Sequence, residues 1–552
     1  MSKRLASRRL ENECLASERL TSSVEEASGR WLVSVKFISA TADAHIRCRI
    51  TQLASLLLGI LLINTACGGG SNAQPAQPPP STTIPPPTIQ LTELSHDTFT
   101  NPSSQHATEV EASAFSFGST IVSAFQVGRI FNGGASDIGF ATSTDVGSQW
   151  MNGTLPGITI YQQGTFSAAS DPVVGFDSAH TTWLISSLAL ANADQIVVSR
   201  SPDGINWGNP IIISTTPSAD KNWITCDNTP ASPYFGHCYV QWDDPSNRDI
   251  IWISTSTDGG LTWSAASNTA DLATGIGGQP VVQPNGTVIV PIESTTGSEM
   301  LAFSSTNGGT NWTATTTIST ITDHQVAANL RTSALPSVAI DAAGTVYAIW
   351  QDCRFRTACS SNDLVMSTST DGIAWTVPTR IPIDPLTSTV DHFIPGVAIE
   401  PGTSGSTAHL ALTYYLYASA NCVASTCALY AGFISSPDGG NTWTTPTTLA
   451  GPMSPAWLPN TFAGLMVGDY VASAYSGGKA FAIFAAAQAN AGTLFDEPIY
   501  TTTTGLAAAQ RAATLTSATE QPVPYPHSDH PHRQFYDQEH QRAIPPADNE
   551  GR

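Results

Sequence analysis

Seven arginines between residues 89 and 505 are the side chains best suited to recognise an anionic ligand. Two of them, Arg354 and Arg356, lie in a short loop between Cys353 and Cys359. A disulfide across this loop would hold both guanidinium groups with little conformational entropy left to lose. Because a guanidinium pairs bidentately with a carboxylate, an acidic sugar is a natural ligand, and pairing with acids of the chain itself is the alternative.

Carboxylates form a second set of residues that could do chemistry. Each stands just before or within the predicted first strand of a repeating unit: Glu109, Glu111, Asp171, Asp220, Asp391 and Asp469. Such a set can surround one end of a channel, where repulsion raises pKa values or the charges attract a cation such as calcium. The alternative is that each acid caps a turn of its own unit. No other cofactor and no dedicated metal site is predicted.

Six copies of one short motif indicate which elements position these residues. The motif begins with Ser, has Asp or Asn two residues later, contains Gly and ends with Trp; it occupies residues 143–150, 201–207, 256–263, 305–312, 369–375 and 436–443. Its third residue is Asp145, Asp203, Asp258, Asn307, Asp371 or Asp438. Ser and Asp accept hydrogen bonds from the amides that follow, and Gly supplies positive φ, so each copy predicts a turn between strands. The copies at 201 and 369 are one residue shorter and predict a tighter turn.

The spacing of the motif predicts an all-β fold. Consecutive copies start 49 to 67 residues apart, which suits one four-stranded antiparallel sheet per unit, as in the blades of a β-propeller. A further unit without the motif follows residue 443 and shows three strands, so we expect residues 89–94 to supply its fourth. We therefore predict a seven-bladed propeller over residues 89–505, with a six-bladed ring as the alternative.

The motif resembles the Asp box, or BNR repeat, of the sialidase superfamily. The copies at 256–263 and 436–443 match its pattern Ser-x-Asp-x-Gly-x-Thr-Trp completely. The resemblance implies that the boxes are structural turns on one face and that function lies on the opposite face. Arg129, Arg331, Arg354 and Arg356 fall in the loops of that opposite face and are the predicted substrate-binding residues.

The same resemblance implies a catalytic pattern: a Tyr nucleophile backed by Glu, an Asp acid/base and three arginines on the substrate carboxylate. On this pattern Tyr470 falls at the nucleophile and Asp137 near the acid/base. Arg129 falls near the second active-site arginine, and Arg354 near the arginine that follows the second strand of its blade.

Three departures from the family pattern disfavour sialidase activity. The chain has Glu109-Val-Glu111 near the place of the first carboxylate-binding arginine, Leu335-Pro336 near that of the supporting Glu, and His392-Phe393 near that of the third arginine. An acid at the first place repels a sugar carboxylate, and a Tyr without its supporting Glu is a weak nucleophile near neutral pH.

The charge of the chain argues against a nucleic-acid partner. Its formal net charge is -21, from 43 acids and 22 bases. Only nine of those bases lie between residues 89 and 505. A nucleic-acid surface needs a basic stripe, which these residues do not provide.

Residues 45–67 predict an export signal, with basic residues at 45–49, an apolar run over 53–63 and a final Ala66-Cys67. The segment resembles a bacterial lipoprotein signal, in which Cys67 would be lipidated, so we expect a membrane-anchored lipoprotein outside the cytoplasm. Secretion after cleavage is the alternative. Residues 1–44 are predicted to be a non-structural upstream extension, 68–88 a Pro-rich spacer and 506–552 a disordered tail.

Six further cysteines form three close pairs, which favours disulfides in an oxidising compartment: Cys226/Cys238, Cys353/Cys359 and Cys422/Cys427. Metal binding is the alternative, but none of the pairs has zinc-site spacing.

Three functions remain open. The leading hypothesis is a lipid-anchored propeller that binds a glycan or another extracellular ligand on the face opposite the boxes. The second is a glycoside hydrolase, a retaining exo-α-sialidase with Tyr470 as nucleophile, and the third is a non-catalytic scaffold for protein interactions. We expect a monomer that contacts the membrane only through its lipid anchor.

Overall fold

The computed structural model describes residues 84–216 and 218–507; beyond them only the backbone of the short strands Glu26–Ala27, Arg30–Trp31 and Leu515–Thr516 is assigned. The chain divides into two units, Met1–Pro79 and Pro80–Arg552, and the second contains all the side chains discussed below. The upstream extension, the export signal with Cys67, the spacer up to residue 83 and the tail from residue 508 lie outside the described residues.

The described residues form an all-β structure, as predicted. Their only helices are six 3-10 turns of three residues each: Ile160–Gln162, Pro245–Asn247, Ala327–Asn329, Thr357–Cys359, Gly405–Thr407 and Pro455–Trp457. No helix in this part of the chain is both long enough and apolar enough to cross a membrane.

The strands form seven antiparallel units, here called sheets 1 to 7, in chain order. Sheet 1 contains Ser104–Phe117, Thr120–Ile130, Ala135–Ser143 and Met151–Thr154; sheet 2 contains Ala168–Asp177, Thr182–Leu190, Asp194–Ser201 and Ile211–Thr216; sheet 3 contains Asp220–Cys226, Cys238–Asp244 and Ile250–Ser256. Sheet 4 contains Gly275–Ile276, Val281–Val282, Val288–Ser294, Glu299–Ser305 and Thr316–Thr320; sheet 5 contains Ser337–Ile340, Val346–Asp352, Asp363–Ser369 and Thr379–Arg380. Sheet 6 contains Asp391–Ile399, Leu410–Tyr417, Leu429–Ser436 and Thr447–Met453. Sheets 1 and 2 also share one residue pair, Ala135 with Ala169.

Sheet 7 takes a strand from the beginning of the described chain. Its strands Ala472–Ser476, Lys479–Ala485 and Ile499–Thr502 are completed by Leu91–Glu93, which pairs antiparallel with Ile499–Thr502. This pairing is the one predicted for residues 89–94. Leu506–Ala507 pairs in addition with the start of the second strand. Two further short strands, Asn460–Thr461 and Gly464–Leu465, form a hairpin before the sheet, and Thr442–Trp443 pairs with Leu515–Thr516.

The hydrophobic core lies between consecutive sheets. Phe140 of sheet 1 packs in one cluster with Val174 and Trp183 of sheet 2, and corresponding clusters join sheets 2 and 3, 3 and 4, 4 and 5, 5 and 6, and 6 and 7. A further cluster joins sheet 7 to sheet 1 through residues such as Phe481 and Phe125.

Side-chain hydrogen bonds link the sheets in the same cyclic order. The links are Val174 N to Ser113 Oγ (3.2 Å), Lys221 N to Asp171 Oδ2 (3.1 Å), Gln241 Nε2 to Gly278 O (2.8 Å), Val338 N to Gln279 Oε1 (2.9 Å), Val397 N to Ser337 Oγ (2.9 Å), Ser473 Oγ to Gly396 O (2.8 Å) and Ser116 Oγ to Tyr475 O (2.5 Å). The last link joins sheet 7 to sheet 1. Each sheet is therefore bonded to both of its neighbours.

The six Asp boxes are tight turns that follow the third strand of sheets 1, 2, 3, 5 and 6 and the strand Glu299–Ser305 of sheet 4. In the box at 256–263, the Ser256 hydroxyl donates to Asp258 (2.9 Å) and accepts from Gly260 N (2.9 Å), while Thr262 N donates to Asp258 Oδ1 (2.9 Å). The indole N–H of Trp263 donates to the carbonyl of Gly260 (3.2 Å).

The two shorter boxes close one residue earlier, as predicted. In the box at 201–207, the Ser201 hydroxyl accepts from Gly204 N (2.8 Å), three residues on rather than four. The Asp203 carboxylate accepts from the amides of Ile205 (2.9 Å) and Asn206 (2.8 Å).

Candidate functional site

A cavity of about 530 Å³ is lined by Val281–Val282 of sheet 4 and by residues in or next to the first strands of the other six sheets, and is here called the central cavity. Its wall includes Phe115, Phe176, Trp223, Val338 and Val471. Each first strand has a hydrogen-bonded neighbour strand along one edge of the lining segment. Along the other edge, side chains of the neighbouring sheets bind backbone groups of the lining segments, as Ser113 does for Val174 N and Ser337 for Val397 N.

The wide end of the central cavity lies at the Asp-box side. Its lining segments end at the hairpins between first and second strands, which contact the boxes: Val146 N donates to Ser119 O (2.9 Å), Gly439 N to Ala408 O (2.9 Å) and Gln283 Nε2 to Thr370 O (2.8 Å). The opposite end is narrow and leaves room for about one water molecule beside Trp223 and Tyr470, about 10 Å³.

The backbone at the narrow end has an uncommon conformation. Glu111, Asp171 and Lys221 have positive φ angles of 58°, 48° and 48°, and each lies in an irregularity of the pairing between the first and second strands of its sheet. Positive φ is costly for residues other than Gly and is concentrated at functional sites. The bulges bring these three charged side chains together.

The resulting inner-end cluster consists of Glu111, Asp171, Asp220, Lys221, Arg331, Asp469 and Tyr470, all buried. Lys221 Nζ lies 2.7 Å from Asp469 Oδ2, 3.4 Å from Asp220 Oδ1 and 3.5 Å from Asp171 Oδ2. The Arg331 guanidinium binds both oxygens of Asp469, at 2.7 Å from Nε and 2.5 Å from Nη2. Four acids thus surround two bases.

The pKa shifts in the inner-end cluster follow from burial and from this pairing. Burial raises the pKa of Glu111 well above its usual value, and Asp171 and Asp469 raise it further. Burial would also raise the pKa of Asp469, but Arg331 and then Lys221 outweigh it and hold that pKa well below its usual range. The two cations therefore favour the charged form of Asp469, whereas burial favours the protonated form of Glu111.

Tyr470, the predicted nucleophile, lines the narrow space beside Trp223. Its hydroxyl donates to the carbonyl of Pro172 (3.2 Å), and its ring lies edge-on to Trp223 with centroids 5.3 Å apart. Burial raises the pKa of Tyr470 well above its usual value, and the charges of Glu111 and Asp171 raise it further. This phenol is therefore protonated and poorly suited to nucleophilic attack near neutral pH.

Of the four arginines predicted to bind substrate, only Arg331 joins Tyr470 in the cluster. Arg354 pairs with Asp352 (2.6 Å) and donates to Ser319 (3.0 Å). Arg356 is 1% exposed and pairs with Asp363 (2.5 Å) and Asp384 (2.6 Å). Both arginines thus bind acids of the chain itself, which was the alternative interpretation.

Arg129 and Asp137 are buried in sheet 1. Arg129 donates to the carbonyl of Gly134 and from Nε to the sulfur of Met466 (3.2 Å). Asp137 accepts from Ile138 N (2.7 Å) and from the Thr159 hydroxyl (2.9 Å), and burial raises its pKa to about 7. A carboxyl group with this pKa can serve as a general acid only if a substrate reaches it.

Six acids were predicted at the starts of first strands. Four of them meet in the inner-end cluster, namely Glu111, Asp171, Asp220 and Asp469, and the other two lie elsewhere. Asp391 instead accepts from Asn362 N (2.6 Å) and lies 3.3 Å from His324 Nδ1. Glu109 lies at the contact of sheets 1 and 7, where its backbone N–H donates to Glu497 O (2.9 Å).

One group of three ligand-type residues in the described chain has the spacing of a metal site: Asp363, Asp384 and His392. Both carboxylates are already bound by guanidinium groups, since Arg380 pairs with Asp363 (2.7 Å) and Asp384 (2.5 Å) alongside Arg356. The adjacent positive charges oppose a cation at this place.

Sequence reasoning missed Lys221, Trp223 and Glu497. Lys221 carried a usable signal, because it is one of only two lysines between residues 89 and 505 and directly follows the predicted acid Asp220. Trp223 and Glu497 carry no local pattern, since their roles depend on sheets that are distant in the sequence.

The three predicted disulfides are present, joining Cys226 to Cys238, Cys353 to Cys359 and Cys422 to Cys427. The second closes the loop that carries Arg354 and Arg356.

Comparisons with known proteins address the family. The BNR repeat-like domain model matches residues 192–394, and no curated protein matches the chain in sequence. Among solved structures, the chain is similar to the Hadza microbial sialidase Hz136 at 13% identity and TM-score 0.40, covering 68% of this chain and 75% of that one. It is also similar to a protein of unknown function from Dyadobacter fermentans DSM 18053, at 16% identity and TM-score 0.40 with coverage of 63% and 99%. A PL25 ulvan lyase gives 11% identity and TM-score 0.46, with coverage of 79% and 100%. The domain match agrees with the resemblance drawn from the Asp boxes: residues 192–394 of the chain are similar to the BNR repeat-like domain.

Proposed function

We propose that this protein is an exported, seven-bladed Asp-box propeller that recognises a glycan without hydrolysing it. The seven sheets would be the blades, and the central cavity would be the axial channel. Core residues cluster between every consecutive pair of sheets and between sheets 7 and 1, with two clusters between sheets 4 and 5, and these seven contacts support this blade count. The cyclic hydrogen bonds between sheets support it independently.

One observation carries the non-catalytic proposal: Tyr470, at the predicted nucleophile position, and Arg331, a predicted substrate-binding residue, are both already bound by other groups of the chain. The Tyr470 hydroxyl donates to a backbone carbonyl, and the Arg331 guanidinium is held by both oxygens of Asp469. To bind a sugar carboxylate there, the protein would have to break a buried ion pair, at a cost of about 3 to 5 kcal/mol. The excess of acids over bases in the cluster opposes an anionic sugar further.

A retaining hydrolase is the second candidate, and one feature favours it. Glu111 and Asp171 lie close enough to Tyr470 to raise its pKa, so the phenol has carboxylates beside it even though Leu335 and Pro336 replace the supporting Glu of the family. In this alternative, one of these acids would act as the base that activates Tyr470.

A glycan array tests the leading proposal. The wild-type chain should give saturable binding to at least one glycan, and Tyr470→Phe should bind it with affinity changed less than threefold, because the substitution removes only a hydroxyl bound to Pro172. Absence of binding to every glycan would contradict glycan recognition and favour the scaffold hypothesis.

We propose further that Cys67 anchors the protein to a membrane through a lipid, as the lipoprotein-like segment 45–67 indicates. Expression with radiolabelled palmitate should label the wild type, and Cys67→Ser should remove the label. An unlabelled wild-type protein recovered from the medium would favour secretion instead.

A further inference from the structure

Most residues in the wall of the central cavity carry no charge. Among the residues that line it, the only charged side chains are Asp341 and Glu400 at the wide end. Asp341 accepts from the amides of Ala343 (3.0 Å) and Gly405 (2.8 Å), and Glu400 lies 2.5 Å from His409 Nδ1. No Lys, Arg or His lines the cavity. An anionic ligand would therefore find no partner there.

The rest of the wall combines apolar surface with hydrogen-bonding groups. Apolar contacts come from Phe115, Phe176 and the valines of several first strands, and neutral polar contacts from Thr225 and Gln279. A saccharide matches this combination, because its ring presents C–H faces and its rim presents hydroxyl groups.

Trp223 provides a stacking surface at the inner end. It is only partly buried, lines both the central cavity and the narrow space beyond it, and is held by the edge-on contact with Tyr470. A partly exposed indole ring is a rigid platform for an apolar face of a ligand. The paired cluster behind it closes the cavity.

We infer that the central cavity is a saccharide-binding site, entered from the Asp-box side, that takes the end of a slender neutral oligosaccharide onto Trp223. The inference rests on the proposed glycan recognition and specifies its ligand class and place. It moves the site from the predicted face, opposite the boxes, to the face that carries them. The volume of about 530 Å³ is within the range of small-molecule sites.

Tryptophan fluorescence tests the site directly. The full chain is titrated with cellotriose, maltotriose and chitotriose, with 3′-sialyllactose as the anionic comparison. We expect a saturable change with at least one neutral trisaccharide and at least tenfold weaker binding of 3′-sialyllactose. Trp223→Ala should weaken neutral binding at least tenfold and Trp223→Phe should restore part of it, whereas Trp207→Phe, in an Asp box, should leave it unchanged.

A second variant separates the cavity from an effect of Trp223 on folding. Thr225→Trp should fill the cavity and abolish binding while the far-UV circular dichroism stays that of the wild type. Binding that survives both Trp223→Ala and Thr225→Trp would overturn the cavity site but leave glycan recognition standing. A wild-type chain that binds no glycan on the array and none of the trisaccharides would overturn both proposals.

Discussion

At the scale of single residues, the buried carboxylates determine how the protein should respond to change. Asp469 is the shared partner of Lys221 and Arg331, and its removal would take from Lys221 its nearest carboxylate and from Arg331 a carboxylate that it binds through two nitrogens. Replacing one member of a buried ion pair costs about 3 to 5 kcal/mol.

We therefore expect Asp469→Asn to lower the free energy of unfolding by about 3 to 5 kcal/mol in urea titrations. Asp496→Asn, at a partly exposed carboxylate outside the cluster, serves as the control and should change it by less than about 0.5 kcal/mol. A loss below about 1 kcal/mol for Asp469→Asn would mean that the cluster is hydrated and does not close the cavity.

Glu109 and Glu497 form a second buried acidic site, where sheet 7 meets sheet 1. Neither oxygen of the Glu497 carboxyl group has a hydrogen-bond partner within the described chain. Burial raises the pKa of Glu497 well above its usual value and Glu109 raises it further; burial and then Asp97 also raise the pKa of Glu109.

This site predicts the sign of a pH dependence. Because folding raises both pKa values, the folded protein binds more protons than the unfolded chain. The two protonated carboxyl groups therefore stabilise the fold at low pH. This stabilisation is lost as the pH rises from the ordinary Glu pKa through the pKa of the folded state. Between pH 5 and pH 8, the free energy of unfolding measured in urea should fall less steeply with pH for Glu497→Gln than for the wild type. The control Glu299→Gln, outside this site, should follow the wild-type slope; equal slopes for all three proteins would refute the assignment.

At the scale of elements, one Asp box recurs in each of sheets 1 to 6, and a carboxylate in the box should stabilise its turn more than an amide does. Burial would raise the pKa of Asp203, but the amides and side chain of Asn206 outweigh it and lower that pKa to about 2. The box at 305–312 has Asn307 at the same place, and its side-chain oxygen accepts from Asn311 N (3.0 Å). A charged acceptor strengthens such bonds.

Asn307→Asp should consequently stabilise the protein by about 0.5 to 1 kcal/mol, and Asp258→Ala should destabilise it by about 1 to 2 kcal/mol, as for the loss of a helix cap. Thermal or urea unfolding measures both. Asp258→Asn, which copies the natural box at 305–312, is the matched control and should lie between Asp258→Ala and the wild type. A destabilised Asn307→Asp would contradict this account of the boxes.

The elements that the sequence predicted correctly are those determined by local chemistry. The Asp boxes, the shorter turns at 201 and 369 and the three disulfides all depend on residues within about a dozen positions of one another. The pairing of Leu91–Glu93 with sheet 7 was predictable because an incomplete last sheet leaves an edge to be covered. The partners of Arg356 and Lys221 were not predictable, since no local pattern chooses Asp363 or Asp469 among the many acids of the chain.

At the scale of the whole described fold, the strand Leu91–Glu93, near the start of the described residues, completes sheet 7. A chain that begins at residue 96 would lack Leu91–Glu93 and leave the Ile499–Thr502 edge exposed. We expect it to melt several degrees below a chain that begins at residue 84 and to self-associate in light scattering, because unpaired strand edges pair with other molecules. Equal melting temperatures and equal particle sizes for the two chains would show that the strand Leu91–Glu93 is dispensable.

Tyr470 and Arg331 are bound by other groups of the chain, and we therefore propose that the protein does not hydrolyse sialosides. Hydrolysis of a fluorogenic sialoside between pH 4 and pH 9, in wild type and Tyr470→Phe, tests it most directly. We predict no release above background from either protein at any pH. Release by the wild type that Tyr470→Phe abolishes would contradict the claim and establish the hydrolase.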